Sequence, residues 1–474
     1  MILKKLFLLF FLAGILTVNG SAFTGYRIEL QINGLQDTVS YLAYYFGERQ
    51  FLKDTARVDS QGHFVFEGED RLKPGMHMVV LPGNTYFEII VDNNQHFSLS
   101  TSTDNLIGDL TFSNSPENTA FYEYIETMQS LNKELSVMRK KLEEESLTPD
   151  EQMRLQERIN ELEHEPVQVQ DSFISKYPDG LFSQLIVAQR NPDISDVVDP
   201  NDNTPESRDL AYHTYKSRFW DHVNFNDERI LRTPVYHSML VRYFNNFLLQ
   251  VPDTIIAAAD VLLEKCRKND EFFRYTLWFI TNNAERSQIM GMDAVFVHMV
   301  ENYYNSGQAH WMTTEGLERL KKRADQLAPT LIGKKAPNIS TFDIDGKPLS
   351  MHDIDADYLV VYFWESECGH CKKETPLLKE LYEKYHQQGL EVFALNVEAD
   401  QQKWKEAVTK YDLKWINASD PVNHSGFRDN YDVYAIPLLL LLDRDKKIIA
   451  KKISADQLDG FMQFQLQNRA KKDN

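Results

Sequence analysis

The sequence predicts a protein of several domains: a small all-β domain, then an all-α domain, then a C-terminal α/β domain. Short runs of alternating polar and apolar residues, divided by Gly and Pro turns, predict the first. Long aromatic-rich stretches of helical period predict the second, and strands alternating with helices predict the third. The 474 residues suffice for about three domains, which we place at residues 23–114, 115–330 and 331–474.

The first residues of the chain, 1–22, predict a cleaved secretory signal peptide. Lys4 and Lys5 precede an apolar stretch from Leu6 to about Val18, and small residues follow at the cleavage position. The stretch is close to the ~7–15 residues of a signal and short of the ~20 of a membrane span. An uncleaved anchor is the alternative. No cysteine lies near the cleavage position, which excludes a lipoprotein anchor.

Charge and cysteine content narrow the class of protein. The formal net charge of −19 argues against nucleic acid and anionic membrane as partners. An exported protein meets an oxidising compartment, yet the chain holds only three cysteines, so its domains must fold on hydrophobic cores. The helical pattern around Cys266 predicts a buried, inert thiol rather than a resolving cysteine.

The N-terminal region reads as strand and turn, typical of a β-sandwich or barrel-like domain. The segment Arg27–Ile32 alternates with period two, and Asp59–Gly62 predicts a hairpin turn. No catalytic constellation is visible here, which favours a binding or assembly module.

Two sequence patterns typical of a helix N-terminus lie at the beginning of the helical region. Ser115-Pro116 and Thr148-Pro149 each place a capping side chain before a proline. We expect the two helices to form a hairpin, the second ending near Glu165, with polar faces in solvent. The histidines farther along the chain lack metal-ligand spacing, so we predict no metal site.

The C-terminal region alternates strands with helices, and we expect helices on both faces of the sheet. The predicted strands are 359–364, 390–397, 438–442 and 447–451, and the predicted helices are 371–385, 401–411 and 456–467.

The motif Cys368-Gly369-His370-Cys371 lies between the first of these strands and its helix. Two cysteines separated by two residues can close a small disulfide at a helix start, where the partial positive charge stabilises a thiolate. That arrangement suits disulfide exchange with other proteins. The motif is also half of a zinc site, but the chain has no second cysteine pair to complete one.

From about Ile332 onward the chain resembles the thioredoxin superfamily, most closely the exported TlpA/ResA-type thiol-disulfide oxidoreductases. The resemblance is carried by Trp364, the two cysteines and Ile436-Pro437 before an apolar strand. It implies a thioredoxin-like fold in which Cys368 is the nucleophile and Cys371 the resolving thiol. It also implies that Pro437 forms a cis-proline loop facing the cysteines, and we assign Trp364, Ile436 and Pro437 to substrate binding.

Three nearby positions bear on the chemistry. Tyr362 occupies the position of thioredoxin's buried aspartate, so proton transfer to Cys371 needs another group. The relatives carry a functional glutamate at the spacing of Glu374, which we assign as acid/base assistant; a solvated helix acid is the alternative. His370, if cationic, adds positive charge beside Cys368, and otherwise is a neutral spacer.

The earlier regions resemble uncharacterised domains of exported Bacteroidetes proteins. The β region looks like their small N-terminal domain, and the segments 219–225 and 232–235 resemble the helical domain that joins it to a thioredoxin domain.

The resulting hypothesis is a periplasmic enzyme that reduces or isomerises protein disulfides, without cofactor or metal, and exchanges electrons with a membrane thiol reductant or oxidant. The CGHC sequence favours isomerisation, whereas the TlpA/ResA resemblance favours reduction. The alternative is an envelope binding or assembly protein in which the redox domain is auxiliary.

Overall fold

The computed structural model describes residues 25–143, 147–199 and 201–472, so the predicted signal peptide lies outside the described residues. Contacts divide the chain into two compact units. One comprises Arg218–Met239 with the described residues up to Ser207, and the other comprises Arg208–Ser217 with those from Leu240 onward. The helical region is thus divided between both units, and the domain boundaries given above stay a prediction.

The N-terminal β region forms two four-stranded sheets, in the orders β4-β1-β7-β8 and β3-β2-β5-β6. Apolar side chains from both sheets, such as Ile28, Leu42 and Phe87, share one buried core, which confirms the predicted sandwich-like domain. The strands are β1 (Tyr26–Asn33), β2 (Val39–Phe46), β3 (Arg49–Arg57), β4 (His63–Gly68), β5 (Gly75–Val80), β6 (Tyr86–Val91), β7 (His96–Ser102) and β8 (Thr111–Ser113).

The turn at Asp59–Gly62 corrects one expectation. It is a tight turn, since Asp59 Oδ1 accepts hydrogen bonds from the backbone N–H groups of Gln61 and His63 at 2.8 and 2.9 Å. The strands it joins, β3 and β4, belong to different sheets, so it is a corner of the sandwich and not a hairpin.

The helical region begins with the predicted hairpin of two long helices. The second helix starts at the predicted capping residue Thr148, which forms a capping box with Glu151. The helices are α1 (Pro116–Leu142), α2 (Pro149–Lys176), α3 (Leu181–Gln189), α4 (Pro205–Arg218), α5 (Val235–Val241), α6 (Pro252–Cys266), α7 (Asp270–Arg286), α8 (Asp293–Met299) and α9 (Thr314–Leu327).

We expected helix α2 to end near Glu165, but the helix continues through Pro166. Its last turns bury Phe173 against Tyr124 and Phe182, with ring centroids 5.9 and 5.0 Å apart. This aromatic packing outweighs the local tendency of proline to end a helix.

The C-terminal region forms a seven-stranded mixed sheet in the order β10-β9-β13-β12-β11-β14-β15. Strand β11 is parallel to β12 and antiparallel to β14. The elements are β9 (Ser340–Asp343), β10 (Pro348–Ser350), β11 (Tyr358–Trp364), α10 (Cys371–Tyr385), β12 (Leu390–Asn396), α11 (Gln401–Tyr411), β13 (Ile416–Ser419), α12 (Phe427–Asn430), β14 (Leu438–Asp443), β15 (Ile448–Lys451) and α13 (Ala455–Lys472).

Helices cover both faces of this sheet, as predicted, but unequally. Alternate residues of β11, such as Tyr362, pack with residues of α10, α11 and α13. The other residues, such as Phe363, pack with the short helix α12 and the segment before β11. Because every residue of β11 is buried, this strand is a rigid base for whatever follows it.

Within the described residues, none of the helices is both long and apolar enough to cross a membrane.

Candidate active site

The two cysteines of the CGHC motif lie where the central strand β11 passes into α10. Cys371 is the first residue of the helix, and its backbone N–H donates to Sγ of Cys368 at 3.2 Å. The N–H of Lys372 donates to the carbonyl oxygen of Cys368 at 3.0 Å. The sulfur of Cys368 therefore sits at a helix N-terminus, where backbone N–H groups favour an anion.

The two thiols differ in their surroundings. Cys368 is half-buried, whereas Cys371 is buried. The pKa of the Cys371 thiol is raised to about 12, mainly by burial and then by its hydrogen bond with Cys368. The backbone N–H of Glu365 opposes this rise, and the Glu365 carboxylate adds to it. At neutral pH Cys371 therefore keeps its proton and needs a proton acceptor before it can attack.

The third cysteine takes no part in this site. Cys266 is fully buried at the end of α6, and its sulfur lies 3.4 Å from the hydroxyl oxygen of Thr276. The expectation of a buried thiol is confirmed.

The loop before β14 brings a proline to the cysteines. The Ile436–Pro437 peptide bond is cis, as expected from the sequence. Pairing of Phe363 with Leu438 places this loop at the end of β11 from which the cysteines follow. The carbonyl oxygen of Ile436 lies 3.7 Å from Sγ of Cys368 and accepts its S–H. The roles of Ile436 and Pro437 in substrate binding stay a prediction.

The predicted assistants lie on either side of the helix start. His370 is exposed and directly precedes α10, where its carbonyl accepts from Glu374 N–H at 3.0 Å. The half-buried carboxylate of Glu374 accepts a hydrogen bond from the backbone N–H of Ala455, the first residue of α13. Glu374 thus links two helices beside the site, and its role in proton transfer stays a prediction.

Trp364 is the third residue that we assigned to substrate binding. Its side chain is 1% exposed and stacks on Tyr362 with ring centroids 6.0 Å apart. The side chain therefore packs in the core beneath the site, and its role in substrate binding stays a prediction.

Tyr362, at the position of the expected aspartate, belongs to the core that also contains Cys371. Its hydroxyl is hydrogen-bonded to Thr375 Oγ1 at 2.9 Å, and burial raises its pKa. It therefore stays neutral and offers no carboxylate to Cys371.

Sequence reasoning missed Glu398, which holds the loop in front of the cysteines. Its Oε2 accepts from the N–H of Ser366 at 2.6 Å and its Oε1 accepts from the Ser366 hydroxyl at 3.0 Å. Asn396 Nδ2 donates to Oε2 as well, at 3.0 Å. The sequence could have indicated Glu398, because this acid follows β12, the parallel neighbour of β11. Parallel strands end at the same edge of a sheet, so Glu398 comes close to the cysteine loop.

Among residues 25–143, 147–199 and 201–472, no three His, Cys, Asp or Glu side chains are grouped so that they could hold a metal ion.

Comparisons with known proteins match two separate parts of the chain. Residues 332–451 match the AhpC/TSA family, and residues 26–121 match a domain of unknown function, DUF4369. The thiol-disulfide oxidoreductase ResA of Bacillus cereus is 35% identical over 135 residues, which are 28% of this chain and 77% of that relative.

Two solved structures are also similar. A domain of a possible thiol-disulfide isomerase from Cytophaga hutchinsonii is 39% identical, and the match covers 31% of this chain and 99% of that one, with a TM-score of 0.29. A thioredoxin-like protein from Bacteroides caccae is 20% identical, and the match covers 58% of this chain and 98% of that one, with a TM-score of 0.46.

The β region, the helical region and the α/β domain described above make a multidomain protein, and the family match at residues 332–451 identifies its C-terminal domain as thioredoxin-like. Because the Bacillus cereus relative is 35% identical over 77% of its own length, the chain belongs to the ResA-like thiol-disulfide oxidoreductases and is an enzyme of that family.

Proposed function

We propose that the enzyme reduces or isomerises protein disulfides by dithiol–disulfide exchange at Cys368 and Cys371. Cys368 acts as nucleophile and Cys371 as resolving thiol. The single observation that carries this assignment is the contrast between them: Cys368 is partly accessible at a helix N-terminus, whereas Cys371 is buried with a raised pKa.

The first step is attack by the Cys368 thiolate on one sulfur of a substrate disulfide. An S–S bond forms between Cys368 and the substrate, the substrate S–S bond breaks, and the departing thiolate takes a proton from water. The backbone N–H of Cys371, 3.2 Å from Sγ of Cys368, stabilises the attacking anion.

In the second step Cys371 loses its proton to a nearby base and attacks Sγ of Cys368. The Cys368–Cys371 disulfide forms, the S–S bond between Cys368 and the substrate breaks, and the second substrate thiolate leaves and is protonated. The substrate has gained two electrons and the cysteine pair has lost two. We assign Glu374 as the base, with the Glu365 carboxylate as a nearby competitor for that role.

A second turnover requires a dithiol reductant for the Cys368–Cys371 disulfide. We propose a membrane thiol-exchange protein for this role and the periplasm as the compartment. The signal-like pattern of residues 1–22 supports the compartment. In isomerisation the substrate's own second thiol resolves the mixed disulfide, and no external reductant is consumed.

Insulin reduction by the purified full chain with dithiothreitol as reductant tests the assignment. We expect Cys368→Ser to abolish turnover, and Cys371→Ser to accumulate a mixed disulfide with insulin. Cys266→Ser, at the buried thiol outside the site, is the matched control and should keep wild-type activity. Wild-type turnover in Cys368→Ser protein would refute the proposal.

The equilibrium potential of the cysteine pair against glutathione decides the direction of exchange. A value near about −270 mV identifies a reductase, and one near about −180 mV identifies an isomerase.

A further inference from the structure

The loop that leads to Pro437 is held at its start by helix α9, outside the α/β domain. Nη1 of Arg323, near the end of α9, donates to Oδ1 of Asp432. Three residues farther along the helix, Gln326 Nε2 donates to the hydroxyl of Tyr434 at 2.6 Å. Two side chains of the helical region therefore contact the first residues of this loop.

The carboxylate of Asp432 depends on cationic partners. Its side chain is only 7% exposed. Its φ of +54° lies in the left-handed region, which residues other than Gly, Asn and Asp seldom adopt. Nζ of Lys452 lies 4.0 Å from Oδ2, at the limit of an ion pair. Because an almost buried carboxylate is costly without a close partner, Arg323 supplies the stronger of these two interactions.

The other end of the loop, at Ile436, faces the cysteines. Val433 is buried in the core on the α12 side of the sheet. Three residues later, the carbonyl oxygen of Ile436 lies 3.7 Å from Sγ of Cys368. Only three residues separate Asp432 from Ile436, so a shift at the start of this short segment moves the carbonyl as well.

A groove of about 590 Å³ opens beside the loop. Its lining includes Arg323, Asp432, Glu374 and Pro437. A polypeptide that approaches Cys368 along Pro437 therefore meets a groove to which the helical region contributes a side chain.

We propose that Arg323 is a positioning residue for disulfide exchange: through Asp432 it fixes the loop on which a protein substrate docks beside Cys368. This inference rests on the proposed function, because it requires Cys368 to attack a docked protein disulfide. Helix α9, which lies outside the matched residues 332–451, then takes part in the affinity of the enzyme for proteins.

Steady-state insulin reduction by full-chain variants tests the inference. Loss of a charge-assisted hydrogen bond in Arg323→Ala should raise KM for insulin about tenfold with little change in kcat. Arg323→Lys should restore KM in part, since it keeps the charge. Arg319→Ala is the matched control: Arg319 lies on the same helix, is exposed, and pairs with Glu315 at 3.6 Å.

A double-mutant cycle shows whether Arg323 acts through Asp432. Asp432→Asn removes the charge but tolerates the positive φ. In that background Arg323→Ala should raise KM by less than about twofold. A full tenfold rise there, or an unchanged KM in Arg323→Ala alone, would overturn the inference.

The Cys368→Ser variant distinguishes failure of the proposed function from failure of the positioning role of Arg323. If wild-type insulin reduction does not depend on Cys368, the proposed function fails. If it does depend on Cys368 and Arg323→Ala keeps the wild-type KM, only the positioning role fails. A fall in kcat without a change in KM, matched by a lower folded fraction in circular dichroism, assigns Arg323 a structural role and also refutes the proposal.

Discussion

The carboxylate of Glu374 accepts a hydrogen bond from the backbone N–H of Ala455 at 2.9 Å. The acid expected to serve Cys371 therefore also satisfies a donor at the first turn of α13, one that has no partner within its own helix. Catalysis and helix capping can be separated by substitution, because an amide retains the acceptor and loses the basicity.

Glu374→Gln should keep the stability of the fold and slow resolution of the mixed disulfide, whereas Glu374→Ala should lose both functions. We expect the alanine variant to lose about 1 kcal/mol of unfolding free energy, typical of a lost capping interaction. Urea unfolding and quenched-flow release of insulin chains measure the two effects. A wild-type rate of release in Glu374→Gln would leave capping as the only role of Glu374.

Glu365→Gln is the companion experiment, since this carboxylate raises the pKa of Cys371. Removing its charge should lower that pKa and shift the pH dependence of the resolving step to lower pH. If Glu365 and not Glu374 is the base, Glu365→Gln will instead slow the step at every pH below the pKa of Cys371.

The reduced enzyme should lose stability at alkaline pH because of Cys371. Its folded pKa, about 12, is above the ordinary value of 9.0, so its stabilising contribution is fully present below about pH 9 and is lost as pH rises towards 12. The loss is at most about 1.4 kcal/mol per pH unit. The free energy of unfolding, measured with urea, should therefore fall more between about pH 8 and about pH 10.5 in reduced wild type than in Cys371→Ser. Equal slopes of unfolding free energy against pH in the two proteins would contradict the raised pKa of Cys371.

Glu398→Ala should loosen the loop before the cysteines. The N–H and hydroxyl of the buried Ser366 lose their acceptor, which costs about 1–3 kcal/mol for an unsatisfied group. We expect faster hydrogen–deuterium exchange in residues 365–370 and slower insulin reduction. Exposed Glu406, on α11, provides the control substitution. Unchanged exchange in residues 365–370 would exclude a positioning role for Glu398.

A buried ion pair ties β15 to the helical region. Lys451 Nζ contacts Asp293 and donates to the carbonyl oxygen of Thr330 at 2.7 Å. Asp293→Ala leaves a buried cation without its counter-ion, for which we expect a loss of about 3–5 kcal/mol in the free energy of unfolding. Asp293→Leu combined with Lys451→Met should be less harmful, as urea unfolding can measure. A double variant less stable than Asp293→Ala would contradict this account.

Local sequence signals predicted the elements that carry the cysteines. The bounds of α10 and α11 match the prediction, because apolar periodicity marks both helices and Asp400 caps the start of α11. Strands β9 and β13 were missed. Each is only four residues long, and strand β9 pairs only briefly with β13, so neither produces a clear alternating pattern.

The site was predictable where its residues are close in sequence and hidden where they are not. The CGHC motif and the Ile436-Pro437 dipeptide are visible as motifs. The contact between Arg323 and Asp432 joins residues 109 positions apart, and neither residue belongs to a motif. The turn at Asp59 shows the same limit: its geometry is local, but which sheet receives the next strand depends on packing between the sheets.

The first strand of the β region imposes an order on the assembly of that domain. Strand β1 pairs in antiparallel fashion with β4 and in parallel fashion with β7, so Ile28 lies opposite both Phe66 and Phe97. During synthesis β1 emerges before both partners, so one edge stays unpaired until β4 has followed at residue 68 and the other until β7 has followed at residue 102. Such non-local pairing slows folding and exposes strand edges to other chains. The edge of β1 that pairs with β7 is therefore the one that this domain leaves open longest during its own synthesis.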